Sequence, residues 1–323
     1  PDFSGENVRP QVIENYDGGP VQLGTSGRTL SPAKFPELSD FVGQTLITTD
    51  GTTVLGADDK AGVAEIMTAC EHIIAENRPH GRISVCFTPD EEVGHGAALL
   101  DLERFGADFA YTMDGGVLNE VNFETFNAAS AHWEINGFNI HPGDAKNTMI
   151  NACLVAMEIN SMLPSGDTPA KTEGYEGFFH LMEMSGTVEA AALDYIVRDH
   201  DAAAFAVRKE TMRHIEKLIN EKYGAGTAKL TLADQYRNMA ECLSAHMEVV
   251  ELAEEAIRKA GLEPVRVPIR GGTDGAQLSF RGLPCPNLGT GGYSFHGPFE
   301  HITVEGMDAA VDIILNLISE SIA

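Results

Sequence analysis

From residue 128 to residue 239 the hydrophobic pattern runs strand, helix, strand, strand, helix, strand, an order that admits few folds. "AASAHWEINGFN" reads as a strand and "NTMINACLVAMEINSML" as a helix. "SGTVEA" and "LDYIVRD" read as two strands, a long helix follows over about 201 to 222, and "AKLTLADQYRN" closes the series as a strand. That βαββαβ series is the ferredoxin-like split unit, so this stretch is expected to form a compact inserted domain. On either side strands and helices alternate instead. "RISVCFTP" and "DFAYTMD" are strand-like with a helix between them around 95 to 105, and Val63, Ile66, Met67, Cys70, Ile73 and Ile74 recur at helical spacing from Lys60 to Asn77. After residue 240 come a helix over 245 to 260, a strand at "EPVRVPI", a helix from Thr273, a strand at "CPNLG" and a helix from Val304. Alternation of this kind predicts an α/β layer structure on a mostly parallel sheet. The expected organisation is one α/β domain built from 1–127 and 240–323, interrupted by a lid-like domain over 128–239.

Shorter signals complete the fold reading. The first thirty residues carry "YDGG" and "GTSG", which read as Gly-rich turns of hairpins or loops. "TLITTDGTTVLGADD" sets two β-branched runs around an Asp-Gly turn and predicts a hairpin. Trp133, the Met-rich helix over 149 to 162 and most histidines are assigned to core or surface, and the charge-dense helix over 201 to 222 to a solvated face.

Composition narrows the partners. Hydrophobic residues make up 43% of the 323, enough for a sizeable core. Acids outnumber bases 48 to 22, a formal charge of -26, which opposes nucleic acid and anionic lipid and favours cations. Cysteines 70, 86, 153, 242 and 285 form no CxxC pair and read as reduced core thiols of a cytoplasmic protein. No apolar run approaches the ~18 residues that cross a membrane. The start, "PDFSGENVRP", has no signal-peptide character.

Four strand-like runs end in acids or histidine: "LGADDKAG", "TPDEEVG", "YTMDGG" and "GGYSFHGPFEH". Ligand sites in open α/β sheets gather where strands end. Any one of these stretches reads equally as a turn, and Asp58 or Asp59 as an N-cap for the helix from Lys60. Carboxylates with one imidazole and no thiolate motif are the donor set of a divalent ion such as zinc, manganese or cobalt. One aspartate has two oxygens and can bridge two ions ~3.5–4 Å apart. In the adjacent pair Glu91 and Glu92, the turn after Pro89 lets one ligate while the other holds a water and takes its proton.

"GADDKAG", "FTPDEEVG", "YTMDGG", "HPG", "RGGTDGA" and "GGYSFHG", as a set and in this order, resemble the M20 metallopeptidases, over essentially the whole chain. Within that family the likeness is to aminopeptidases acting on tripeptides. The resemblance implies two zinc ions, with Asp58 bridging, Asp114 on one ion, Glu92 and His296 on the other, and Glu91 as general base. It also implies a cis peptide between Asp58 and Asp59. In the lid, His141 and Arg198 resemble groups that bind the substrate carboxylate or the developing oxyanion, and Asn127 is a further candidate. His301 competes with His296 for the ligand role, and His296 is preferred because it follows the Gly-rich strand end. The family's remaining metal ligand is the His of an HxD motif placed just before a segment like "PDFSG", so the expectation is that this motif and the strands around it are missing ahead of Pro1. The alternatives are another M20 amidohydrolase, a dipeptidase or N-acyl amino acid deacylase, and a non-catalytic binder of metal or peptide. Partners are short peptides, with no nucleic acid and no membrane, and the assembly, homodimer included, is left open.

Overall fold

The computed structural model describes residues 3–94 and 96–322; Pro1 and Asp2, which open the "PDFSG" segment, and His95 of the acidic turn lie outside the described residues. The chain forms two compact units, one of Pro1–Phe123, Met239–Val267 and Thr273–Ala323, the other of Glu124–Asn238 with Pro268–Gly272. The second unit thus begins at 124 where the sequence pattern suggests 128, and it takes in a five-residue piece from the returning chain.

In the first unit, β1 (Pro10–Ile13) precedes a hairpin of β2 (Val21–Leu23) and β3 (Arg28–Leu30), closed by the "GTSG" turn. Tyr16, Leu23, Leu30, Leu38, Phe41 and Leu46 bury themselves together beneath it. Strand β4 (Leu46–Thr49) pairs antiparallel with β1, but the second half of the expected Asp50–Gly51 hairpin forms no strand. The reason is local competition for hydrogen bonds. Thr49 Oγ1 donates to Thr53 O at 2.9 Å, and the amides of Leu55 and Gly56 donate to the Glu300 carboxylate instead of to a partner strand.

Helix α1 (Ala57–Glu76) buries Ala61, Gly62, Glu65, Ala69 and Ile73. Small residues on this face allow close packing: a Cβ on Gly62 would meet Met113 O at 2.1 Å, so only glycine fits there. Val63, Met67 and Ile74, apolar positions of the sequence pattern, are exposed. Val63 and Ile66 line a cavity of about 780 Å³, and Arg82–Thr88 runs along its wall. Among the described residues 82–89 is not a strand, contrary to the pattern of "RISVCFTP". No neighbouring strand pairs with it, and alternation alone cannot supply the missing hydrogen bonds. The helix expected around 95 to 105 is a single turn, α2 (Leu102–Phe105). Strands β5 (Thr112–Gly115) and β6 (Glu120–Asn122) complete this part.

The inserted unit follows the expected order. Strand β7 (Asn127–Asn136), α3 (Ala152–Met162), β8 (Phe178–Gly186), β9 (Ala190–Asp199), α4 (Ala202–Tyr223) and β10 (Ala228–Tyr236) form a sheet in the order β10-β7-β9-β8, antiparallel throughout. Alternate residues of β7 (Ala129, Ala131, Trp133, Ile135) and β9 (Ala191, Leu193, Tyr195, Val197) meet Val155 and Ile159 of α3 and Met212, Ile215 and Ile219 of α4 in one core. Asn151 caps α3 through Cys153 N, and Asp201 caps α4 through Ala204 N. One strand is misplaced by the pattern: "SGTVEA" holds only the end of β8 and the turn to β9, and most of β8 is "FFHLMEM", whose apolar residues do not alternate.

The chain returns to the first unit through α5 (Ala240–Leu243), α6 (Met247–Lys259), β11 (Val265–Arg266), α7 (Asp274–Phe280), β12 (Asn287–Gly289), β13 (Gly292–Tyr293), β14 (His301–Thr303) and α8 (Val304–Glu320). Its two four-stranded sheets run β1-β4-β14-β13 and β11-β6-β12-β5. The mostly parallel sheet expected from alternation is therefore a correction. Only β11 with β6 and β12 with β5 are parallel among the described pairs, because β14 returns antiparallel beside β4 and β12 runs against β6. The cysteines are also corrected: all five are free, but only Cys285 is buried and Cys86 is exposed. No helix among the described residues is long and apolar enough to cross a membrane.

Candidate metal centre

Asp58, Glu92 and His296 come together from three separate loops of the first unit. Nε2 of His296 lies 2.9 Å from Asp58 Oδ2 and 3.3 Å from Glu92 Oε2. One donor atom from each falls within 4.8 Å of the other two, near enough for a single cation to touch all three. His296 sits in a left-handed backbone conformation, φ 63°, two residues after Ser294 at φ 55°. His301 does not compete. It is fully buried, its Nδ1 bonds Phe299 O at 2.8 Å, and its ring stacks on Tyr293 at 5.6 Å.

Asp58 is presented by a backbone that is not yet helical at 58 and 59, and the peptide between Asp58 and Asp59 is cis. Asp59 Oδ1 accepts from Gly62 N at 3.1 Å, so the capping role weighed for this doublet falls to Asp59 and leaves Asp58 free for the site. Glu300, only 1% exposed, holds the approach: its carboxylate accepts from Leu55 N at 2.6 Å, Gly56 N at 2.7 Å and Asp58 N at 3.0 Å. Glu91 and Glu92 open a 3-10 turn, Glu91–Val93, bounded by left-handed Asp90 and Gly94. At three residues per turn neighbouring side chains point roughly 120° apart, which separates the two carboxylates.

The charge in this region is lopsided. Burial first, then Asp59, Glu91, Asp58 and Asp274, push the Asp114 carboxyl up to about 9. Glu91 is raised to about 7 by burial, then by Asp274, Glu92 and Asp58, with His296 opposing. Asp59 is raised to about 7, chiefly by burial, against the pull of the Gly62 amide. Burial and Glu92 also raise Asp58, while His296 draws it down. Carboxylates that hold protons against one another are the set a divalent cation would discharge, and oxygen donors with one imidazole suit zinc, manganese or cobalt. The residues therefore fit a metal. Asp114, on β5, stands among these acids but outside the group of three.

The lid candidates belong to the other unit. His141 accepts from Gly143 N at 3.1 Å and is otherwise exposed. Arg198 donates to Ala129 O and Val197 O and lies over the Tyr236 ring at 5.2 Å. Asn127 is committed to the fold, donating to Asp199 O and His200 O and accepting from Asn238 N. Arg270 holds the 172–176 loop through Gly174 O, Glu176 O and Thr172 Oγ1. Sequence reasoning missed Glu300 and Asp274. Both lay in quoted stretches, Asp274 in "RGGTDGA" and Glu300 in "GGYSFHGPFEH", but nothing local distinguishes either from a surface acid.

Residues 54–320 match peptidase family M20/M25/M40. The chain belongs to that family. It is 57% identical over 321 residues to peptidase T of Clostridium perfringens, covering 98% of this chain and 78% of the relative. Its fold is similar to the crystal structure of aminopeptidase PepT from Bacillus cereus, with a TM-score of 0.76 and 26% identity over 86% of this chain and 74% of that one. A tripeptidase from Staphylococcus aureus gives a TM-score of 0.76 at 26% identity over 84% of this chain and 73% of the other.

Proposed function

We propose that this chain is a metal-dependent aminopeptidase that releases the N-terminal residue of tripeptides. The observation that carries the reading is the convergence of Asp58, Glu92 and His296 beside a Glu91 carboxyl raised to about 7. The likeness to a peptidase T and a tripeptidase supports the substrate class. In this reading Asp58, Glu92 and His296 hold one ion, and Asp58 with Asp114 contributes to a second, with zinc preferred and manganese or cobalt as substitutes. Bound there, divalent cations supply Lewis-acid polarisation of a carbonyl and acidify water.

The chain's own residues do the rest. Glu91, next to Glu92 on the same 3-10 turn, takes the proton of the attacking water and returns it to the departing amine. The chain's acidic balance, 48 acids to 22 bases, favours a substrate that carries an ammonium group at its N-terminus. His141 and Arg198 are assigned to the substrate carboxylate, where a charge-assisted hydrogen bond would read peptide length. Asn127 is the weakest of these assignments, since both of its N–H donors are already used. The reading places the reaction in the cytoplasm.

The test is a substrate panel on the zinc-loaded chain: a free-acid tripeptide, its C-terminal amide, a dipeptide and an N-acyl amino acid. The tripeptide acid is expected to be cut fastest, with activity lost on chelation. Preference for the dipeptide or the N-acyl substrate would move the chain to another amide-cleaving activity, and chelator-insensitive hydrolysis would remove the metal from the reading.

A further inference from the structure

Glu91 and Glu92 ride on a segment with little structure of its own. Between residues 88 and 100 the described backbone forms one 3-10 turn, and its internal bonds, such as Gly94 N to Glu91 O at 2.6 Å, reach only a few residues. Among the described residues no strand pairs with it. Besides His296, whose Nε2 lies 3.3 Å from Glu92 Oε2, residues of α7 and Arg281 at its C-terminal end reach it from outside. Asp274, only 4% exposed, accepts from Thr88 Oγ1 at 2.7 Å and from Ala97 N at 2.9 Å, so the two ends of the segment close on one carboxylate. Gln277 Nε2 donates to Gly94 O at 3.0 Å, and the Arg281 guanidinium donates to Ala97 O and Leu100 O.

Asp274 and Gln277 are spaced i, i+3 on one face of α7, and Arg281, the residue that ends the helix, continues that row at i+7. The fit is close: a Cβ on Gly96 would meet Asp274 Oδ2 at 2.2 Å. Leu278 of the same helix packs in one cluster with Ala97 of the segment and with Leu283 and Cys285. Placing one more acid among many is electrostatically costly, yet the geometry asks for two acceptor oxygens at this point. An asparagine offers one.

We propose that α7 is the positioning element that sets Glu91 and Glu92 relative to Asp58 and His296, with Asp274 as its central residue. Asp274 acts through the loop and does not itself ligate or transfer a proton. The inference rests on the reading of Glu91 as base and Glu92 as ligand, and its test separates the two ideas. Hydrogen–deuterium exchange is followed on the full chain, its Asp274→Asn variant and its Thr88→Val variant, and each protein is titrated with cobalt(II) while its visible spectrum is recorded. Losing a buried hydrogen bond to a charged group is expected to speed exchange in 88–100 about tenfold, leaving β7 and α4 unchanged. Cobalt affinity should fall about tenfold in parallel, with an altered spectrum, because Glu92 is no longer held in place. Thr88→Val, the milder change, keeps the test open should Asp274→Asn fold poorly. Unchanged exchange in both variants overturns the clamp. Faster exchange with an unchanged cobalt affinity and spectrum overturns the positioning claim. A parent chain that takes up no cobalt overturns the metal reading instead, and the exchange arm then upholds or overturns the clamp by itself.

Discussion

The inserted unit and the acidic loops of the first unit are held together in opposite ways. In the insert, strand faces alternate, helix faces repeat, and Asn151 and Asp201 cap helices that begin at the next residue. In the acidic loops the decisive bonds join residues far apart in sequence, Glu300 to 55–58 and Asp274 to 88 and 97. The difference follows from charge. Apolar faces attract one another without instruction, whereas carboxylates gathered in one place repel and stay only where other groups hold their backbones.

The sharpest test of this contrast lies at the doublet. Glu91→Gln should lower turnover ~10²–10⁴-fold while leaving metal content nearly intact, whereas Glu92→Gln should lose metal as well. Metal analysis beside a peptide assay decides it, and equal metal loss in the two variants would sink the division of roles. Next in size is Glu300→Ala, which strands two buried amides and one part-buried amide, the buried ones at ~1–3 kcal/mol each before relaxation, so a loss of roughly 3 kcal/mol is expected in urea unfolding. An ordinary surface-like loss there would mean that the 55–58 loop holds itself.

A pH experiment comes third. Glu65 of α1 is 1% exposed, neither carboxylate oxygen has a partner among the described residues, and burial, then Asp59, raise it to about 9. A carboxyl with a raised folded pKa is neutral in the fold and ionises more readily unfolded. The stability associated with it is therefore whole below about 4.5 and is lost progressively as pH rises toward about 9. Glu65→Gln should flatten that decline, gaining on the parent by roughly 1–3 kcal/mol at pH 8 relative to pH 5. Parallel stability profiles for the two proteins would show that Glu65 finds a partner. Smallest is the insert's own test. Asp201→Ala removes a local cap and should cost about 1 kcal/mol, with no change in metal binding. A metal defect there would break the separation of local from long-range control.

Legibility in the sequence follows the same division. Most of the βαββαβ order is readable because its elements other than β8 carry their own period, whereas β8 is misplaced because "FFHLMEM" does not alternate. His296 was separable from His301 by its place after a Gly-rich turn, and the structure adds that His301 is sealed under Tyr293. Residues 82–89 alternate like a strand, but hydrogen-bonded partners, not alternation, make a strand.

By itself the sequence determined the ferredoxin-like insert, the helices around it and the set of acids and histidine at the ends of runs, because periodicity and composition are properties of neighbouring residues. Only the tertiary structure decided that Asp58, Glu92 and His296 meet with Asp114 among the neighbouring acids, that the sheets are mixed, and that Glu300 and Asp274 hold the loops. Those outcomes depend on bonds spanning well over a hundred residues, and a window of a dozen residues contains only one end of each.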